Sequence, residues 1–160
     1  MLYSVIHYSS NTSKRLNNMA TRAMISIAKR EEGVSFSEEP KETIVDIYNH
    51  LDGYPEGLGV TLASYLDGKR VVNGIGSKDN EDFIFNGMGC LAASLVAELK
   101  DGPGNVYIEP RESHGWIDYQ YYIWGDTDKD IWISIFSDDE CIFVGKSDRL
   151  ISKYYPDGDD

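Results

Sequence analysis

Apolar and polar residues alternate in the first part of the chain, and this spacing of two is typical of β-strands. In residues 21–36, TRAMISIAKREEGVSF, apolar and polar side chains alternate before a Glu32-Gly33 turn. The strand pattern resumes after the turn at Val34 and Phe36. This pattern predicts a β-hairpin. Residues 42–51, ETIVDIYNHL, are rich in β-branched residues and predict a strand that runs into a loop rich in glycine and proline.

Two later segments repeat apolar residues at the three- and four-residue spacing of an amphipathic helix. The first, residues 59–69, reads GVTLASYLDGK and is closed by an Asp-Gly pair typical of a helix end. The second, FNGMGCLAASLVAELKDGPG at 85–104, is the clearest helix pattern in the chain and stops at Gly-Pro-Gly. Between them, residues 70–83 have no period and predict a connecting loop.

Four strand-like runs follow at 105–110, 116–125, 130–137 and 140–145, and they predict an antiparallel meander. Residues 147–154 predict one or two further helical turns. The order predicts an α+β fold, in which an N-terminal hairpin plus strand and a C-terminal meander form an antiparallel sheet with two main helices packed on one face. We expect a single domain at 19–155, an extension at 1–18 that is either disordered or an upstream-start artefact, and an acidic tail at 156–160.

Charged residues are distributed unevenly along the chain. The chain of 160 residues has a net charge of −12. Residues 1–30 hold five bases and no acid, so residues 31–160, with 27 acids and ten bases, carry −17. Such a field repels nucleic acid and anionic membranes and attracts basic protein surfaces. The two cysteines, Cys90 and Cys141, lack the spacing of a disulfide framework or zinc site and are expected to be buried thiols.

The densest group of polar residues lies in IYNHLDGYPEGLG, residues 47–59. One interpretation is a turn that starts a helix, with a tight Asp52-Gly53 bend, a proline that presets its backbone angle and an acid near the first helical amides. The other interpretation is a binding site that uses the polar side chains of the loop. Its candidate binding residues are Tyr48, His50, Asp52, Tyr54 and Glu56, and the turn alone does not explain the two tyrosines and the histidine.

Known catalytic and metal-binding patterns are missing from the sequence. The glycines of the loop do not follow the spacing of a phosphate-binding loop. His7, His50 and His114 are scattered, and no motif places a nucleophile beside His50. The DTDKD run at 126–130 departs from the calcium-loop pattern and is better interpreted as a charged hairpin turn. We therefore expect no catalytic residues, no metal and no cofactor.

Two stretches carry a resemblance to a protein family. MATRAMISIA at 19–28, and the Tyr48, His50, Asp52-Gly53-Tyr54-Pro55 pattern of the loop, resemble a family of small bacteriophage and prophage proteins. That family has tryptophan where this chain has Leu51, so a role for an aromatic side chain at that position does not carry over. The resemblance implies a phage origin and a start near Met19, and it implies no particular activity.

Charge and resemblance together lead to two functional hypotheses. The first is a non-catalytic acidic binding protein, a counter-defence or host-takeover factor that docks on a basic host protein in the host cytoplasm. It would contact neither nucleic acid nor membrane. The alternative is a protein whose loop 48–56 binds, or hydrolyses with His50 and Asp52, a small nucleotide-like ligand. The oligomeric state stays open.

Overall fold

The computed structural model describes residues 21–76 and 80–157. The expected extension at 1–18 and most of the expected acidic tail lie outside these ranges. Within them the chain forms eight strands and three α-helices. The strands are β1 (Ala23–Lys29), β2 (Val45–Asn49), β3 (Arg70–Val72), β4 (Ile84–Asn86), β5 (Val106–Ile108), β6 (Tyr119–Gly125), β7 (Trp132–Ser137) and β8 (Glu140–Gly145). The helices are α1 (Val60–Leu66), α2 (Met88–Leu99) and α3 (Ser147–Tyr154).

Six strands form one sheet in the order β5-β2-β1-β6-β7-β8, and β3 and β4 form a separate parallel pair. Within the large sheet, β1 and β6 are parallel and the other neighbouring strands are antiparallel. β1 lies inside the sheet, and its first six residues, all apolar except for one serine, are buried. The predicted α+β class, with a mainly antiparallel sheet and helices on one face, is confirmed.

The three helices cover one face of the large sheet and share its main hydrophobic core. Helical side chains at Leu62, Leu66, Leu91, Leu95 and Leu150 are at most 2% exposed. The sheet contributes alternate residues of its strands, as expected because neighbouring side chains in a strand point to opposite faces. These are mainly Ile25, Ile27, Ile47, Tyr121, Ile123, Ile133 and Ile135. Both predicted main helices are therefore present, and no helix in the described residues is long and apolar enough to cross a bilayer.

The other face of the sheet is covered by irregular chain instead of helices. A smaller core forms there around the indole of Trp124 and the rings of Tyr122 and Phe136. Phe36, from the segment after β1, packs on this core. Its ring centroid lies 5.4 Å from that of Trp124 in an edge-to-face contact and 4.9 Å from that of Trp132 in a stacked contact. Both faces of β6 are thus covered.

Two strand-pairing predictions are wrong. Residues Val34 and Phe36 form turns and a loop, and β1 makes its hairpin with β2 across that longer connection. The reason is that Phe36 is drawn into the second core. The run at 105–110 pairs with β2 at the sheet edge, so the meander consists of β6, β7 and β8 alone. The strand β5 is short, and the inserted segment 109–118 separates it from β6.

Two further predictions need correction. Residues 70–83 are not only a loop, because they contain β3, which pairs in parallel with β4. Cys90 is exposed rather than buried, since it lies on the outer side of α2, whereas Cys141 is half-buried and both are free thiols. The predicted hairpin turn at 126–130 is confirmed, since these residues join β6 to β7. Asp138 and Asp139 turn between β7 and β8 with positive φ angles of 50° and 62°.

Candidate functional site

The loop at 47–59 begins where β2 ends, and two asparagines fix its first residues. The amide of His50 donates to the carbonyl of Asn105 at 2.8 Å, and the amide of Leu51 donates to the Asn105 side chain at 2.8 Å. Asn49 in turn donates its side-chain amide to the carbonyl of Leu51 at 2.6 Å. Asn105 adopts a positive φ of 59°, which asparagine tolerates better than most residues. The loop therefore starts from a rigid anchor beside β5.

Gly53 is the tightest point of the loop. Its amide donates to the carbonyl of Thr21 at 3.0 Å, and its carbonyl accepts the buried hydroxyl of Tyr121 at 2.7 Å. A Cβ at this glycine would lie 2.7 Å from the Cβ of Ala23, which is closer than side chains approach. The preceding Asp52 is exposed and has a φ of 54°, in the left-handed region expected for a tight bend. The predicted Asp52-Gly53 turn is present.

A π-helical turn at Pro55–Gly59 leads directly into α1. The carbonyl of Tyr54 accepts from the amides of Gly57 and Leu58 at 3.0 and 2.9 Å. The Tyr54 ring lies over Gly57, where a Cβ would be 2.9 Å from the ring. Glu56 is exposed in the first turn, and its backbone carbonyl accepts the Tyr155 hydroxyl at 3.2 Å. Tyr54 and Glu56 thus belong to the helix start.

Tyr48 and His50 lie on the other face of the sheet, away from the helices. The Tyr48 hydroxyl is hydrogen-bonded to Nδ1 of His50 at 2.9 Å. Its ring, in a residue that is 6% exposed, stacks on the imidazole of His114 with centroids 3.8 Å apart and planes 18° apart. The Nε2 of His114 donates to the Glu109 carboxylate at 2.5 Å. The structure therefore places His114 and Glu109, which the sequence analysis did not assign to the site, next to Tyr48 and His50.

A chain of hydrogen bonds connects this group to the sheet. Arg111 donates its guanidinium to the carbonyl of His114 at 2.6 Å and its backbone amide to the Asp46 carboxylate at 3.0 Å. Asp46 also accepts the hydroxyl of Ser26 at 2.6 Å, and that hydroxyl accepts from the amide of Gln120 at 2.9 Å. The segment 109–118 is therefore held on the sheet by polar contacts. We call Tyr48, His50, Glu109 and His114 the tyrosine–histidine cluster.

The electrostatics of this cluster favour a neutral phenol. Burial is the main cause that raises the pKa of Tyr48, and the nearby Glu109 adds to it, while Arg22 acts in the opposite direction. The neutral Tyr48 hydroxyl shares its hydrogen bond with Nδ1 of His50, to which a phenol can donate or from which it can accept. The described residues hold no group of three histidine, cysteine or acidic side chains placed to bind a metal ion. The arrangement can hold rings and form hydrogen bonds, and the hydroxyl that it brings to His50 is the phenol of Tyr48.

Of the five candidate binding residues, the structure brings Tyr48 and His50 together and separates them from the rest. Asp52 points to solvent at the bend, and Tyr54 and Glu56 belong to the turn that enters α1 on the helical side. Sequence spacing did not reveal His114, because it lies 64 positions after His50. The only signal in the sequence was that His114, which has charged residues near it, could pair with a buried tyrosine. That signal did not indicate where His114 would lie in the fold.

Alkaline pH is expected to destabilise the protein, and Tyr121 should account for part of the loss. Burial raises the pKa of the Tyr121 phenol above its usual value of about 10, and that of Tyr122 likewise. The folded protein therefore retains protons that the unfolded chain releases, so stability is unaffected below about pH 10 and falls above it. Urea unfolding between pH 8 and 11 should show a stability that falls only above about pH 10, and Tyr121→Phe should reduce the slope there by up to about 1.4 kcal/mol per pH unit. Parallel curves for the two proteins would contradict this.

Two groups of acidic side chains on the surface differ in their neighbours. At the β6–β7 turn, Asp126, Asp128 and Asp130 form ion pairs with Lys29 at 3.9 Å, Arg70 at 4.0 Å and Lys146 at 3.0 Å. The second group consists of Glu38 and Glu39 in the segment after β1 and Asp138 and Asp139 in the β7–β8 turn. We call it the acidic surface.

The carboxylates of the acidic surface have no cationic partner within 4.0 Å in residues 21–76 and 80–157, and all four residues are exposed. Burial is the largest cause that raises the pKa of the Tyr122 phenol; Glu39 and Asp139 both add to it, and Arg111 acts in the opposite direction. The two carboxylates therefore lie around the same phenol. The loop and the turn thus present their charge on one side of the molecule, over the second face of the sheet.

Two surface cavities lie away from the loop at 47–59. One, of about 370 Å³, is lined by Arg30, Glu31, Glu32, Asp126 and Lys129. The other, of about 260 Å³, lies between the end of α1 and the start of α3. Comparison of the chain with models of protein families, with curated proteins and with solved structures gives no match.

Proposed function

We propose that this protein is a non-catalytic binding protein that docks through its acidic surface on the basic surface of a host protein. The observation that supports it most is the contrast between the two groups of acids. Those of the β6–β7 turn each have a cationic side chain within 4.0 Å, whereas Glu38, Glu39, Asp138 and Asp139 are exposed and have none at that distance in residues 21–76 and 80–157. Uncompensated charge is costly to keep close together, and a cationic partner relieves that repulsion.

The acidic surface is held in place by the fold. Phe36, two positions before Glu38, is stacked on Trp132 and covered by the guanidinium of Arg30, which lies 4.9 Å from the ring centroid. Asp138 and Asp139 form a two-residue turn, in which both φ angles are positive and the strands fix the ends. A charged surface that is ordered before binding loses less conformational entropy on association.

Two further features support a host protein as the partner. The resemblance of residues 19–28 and 47–59 to bacteriophage proteins favours a bacterial host factor, in the manner of counter-defence or host takeover. The long-range attraction of a −12 chain for a basic surface would speed their encounter. The ligand-binding alternative has less support, because Nδ1 of His50 is hydrogen-bonded to the Tyr48 hydroxyl and Asp52 lies at an exposed bend.

The test is affinity capture from bacterial lysate with matched charge variants. The wild-type protein is expected to retain a basic protein whose recovery falls at least tenfold between about 50 and 300 mM salt, because screening shortens the reach of exposed charges. The triple variant Glu38→Gln, Glu39→Gln, Asp139→Asn should lose most of this recovery at low salt.

The control variant, Asp126→Asn, Asp128→Asn, Asp130→Asn, removes the same number of negative charges from the β6–β7 turn. It should retain the partner at close to the wild-type level, provided that thermal unfolding shows both variants to be folded. Equal loss in the two variants would mean that net charge alone drives retention. Recovery that is unchanged at high salt would exclude docking by charge.

A further inference from the structure

Strand β8 is an edge of the large sheet, and β7 is its hydrogen-bonded neighbour. Its residues 141–144, Cys-Ile-Phe-Val, form an uncharged apolar run that is half-buried and rich in residues that favour strands. The outer side of such a strand presents backbone amides and carbonyls to which a further strand can bond. A second copy of the chain could therefore pair with this edge.

A β-bulge interrupts the edge at Ile142. Ile135 pairs with Phe143 and Phe136 pairs with Cys141, so Ile142 is an extra residue without an opposite residue on β7. Its backbone carbonyl accepts a hydrogen bond from the ammonium of Lys153 at 3.1 Å. Lys153 lies in the last turn of α3. The carbonyl of the bulge is thus bonded to a cation from the same chain.

Two aromatic rings flank the ammonium of Lys153. It lies 5.8 Å from the ring centroid of Phe143 and 5.5 Å from that of Tyr154. Both distances are within the range of about 6 Å at which an aromatic face attracts a cation. No carboxylate of residues 21–76 and 80–157 lies within 4.0 Å of this ammonium. Within those residues, β8 and the end of α3 therefore set its position.

The other edge of the sheet has the same arrangement. β5 is only three residues long, and Lys100 directly follows α2. The ammonium of Lys100 donates to the carbonyl of Val106 at 2.8 Å and to that of Gly104 at 2.9 Å. Short edge strands, bulges and lysine side chains are features by which proteins block pairing at sheet edges. Their presence at both edges points to a role in blocking further strands.

We propose that Lys153 closes the β8 edge against a second copy of this chain and so keeps the protein monomeric. The strand that this edge would accept is β8 of the other copy, because two identical strands in antiparallel pairing are related by two-fold symmetry. This inference concerns self-association, and it does not depend on docking through the acidic surface.

Lys153 opposes such a pair in two ways. A pair centred on the bulge would need the Ile142 carbonyl as the acceptor for an amide of the other copy, and the ammonium already occupies that carbonyl. The same pair would bring the two Lys153 ammonium groups close together, and like charges repel at short range. Removal of the ammonium therefore removes both obstacles.

Sedimentation velocity of the full-length protein over a series of concentrations tests the proposal. About 300 mM salt is used, because it screens the repulsion between copies that each carry a net charge of −12. The wild-type protein is expected to remain a monomer. Lys153→Ala should dimerise at least about tenfold more tightly than the wild type, since the carbonyl no longer has a charged hydrogen bond to exchange.

Two matched variants separate the contact from the charge. Lys153→Arg retains a positive charge and N–H donors and should stay monomeric. Lys41→Ala removes an equal charge from an exposed position in the segment after β1 and should behave like the wild type. If Lys153→Ala does not fold, Lys153→Met takes its place, because methionine keeps an unbranched apolar side chain and lacks the ammonium.

Hydrogen exchange locates the contact between the copies. In the Lys153→Ala dimer, backbone amides within residues 140–145 should exchange more slowly than in the monomer, whereas those of 106–108 should not change. A wild-type protein that already pairs through β8, a Lys153→Ala protein that stays monomeric, or a dimer without slower exchange at 140–145 would overturn the proposal. Dimerisation of Lys153→Arg or of Lys41→Ala to the same extent would also overturn it.

Discussion

Gly53→Ala is expected to lower the free energy of unfolding by about 2 to 3 kcal/mol, because an added methyl group has no space there. It would lie 2.7 Å from the Cβ of Ala23 and 3.0 Å from the carbonyl oxygen of Thr21. Both atoms belong to or border β1, which is paired on both sides and cannot move without disturbing the sheet. Urea unfolding monitored by tryptophan fluorescence measures the loss, which corresponds to roughly 4–10 °C in melting temperature.

Gly89→Ala is the control for this substitution. Gly89 lies in α2 with no atom within 4 Å of an added Cβ, and alanine is a better helix former than glycine. That variant should be as stable as the wild type or more stable by up to about 1 kcal/mol. A Gly53→Ala protein that unfolds like the wild type would show that the loop at 47–59 packs on β1 less closely than the structure indicates.

This prediction separates two roles within the loop at 47–59. Gly53, Pro55 and the bend at Asp52 serve the path of the chain from β2 to α1, as the turn interpretation of the sequence held. Tyr48 and His50 belong to a different face and to a different set of neighbours, the tyrosine–histidine cluster. The density of polar residues in these thirteen positions therefore has two separate causes.

Local patterns predicted the elements that depend on local physics. The apolar spacing of α1 and α2, the strand character of β2 and the turn at Asp138-Asp139 all follow from short-range preferences of the backbone. Each of them depends on residues within about ten positions of one another. These elements are sufficient to give the fold class.

Strand order did not follow from local patterns, because it is decided by contacts between distant residues. β1 pairs in parallel with β6, which lies about 95 positions later in the chain, with Ala23 opposite Tyr119. β5 leaves the meander to pair with β2, and the segment 109–118 that follows carries His114 onto Tyr48. The site could be predicted only as far as Tyr48 and His50, since its other members depend on this strand order.

Trp124→Ala is expected to have the largest effect on stability, about 4 kcal/mol, because it empties the centre of the second core. The indole is fully buried, and its Nε1 donates to the hydroxyl of Ser134 at 2.9 Å. The change leaves a large cavity and a buried hydroxyl without its donor. Trp116→Ala makes the same substitution at a residue that is 62% exposed, and it should change stability by less than about 0.5 kcal/mol.

Trp124→Ala should also weaken docking, because the second core holds part of the acidic surface. Phe36 loses the edge contact with Trp124 that fixes it, so the neighbouring Glu38 and Glu39 are no longer held in one arrangement. At a temperature where Trp124→Ala remains folded by circular dichroism, its recovery of the basic partner at low salt should fall below that of Trp116→Ala. Equal recovery by the two folded variants would show that the charge of these residues is sufficient for binding and that their placement by Phe36 contributes nothing.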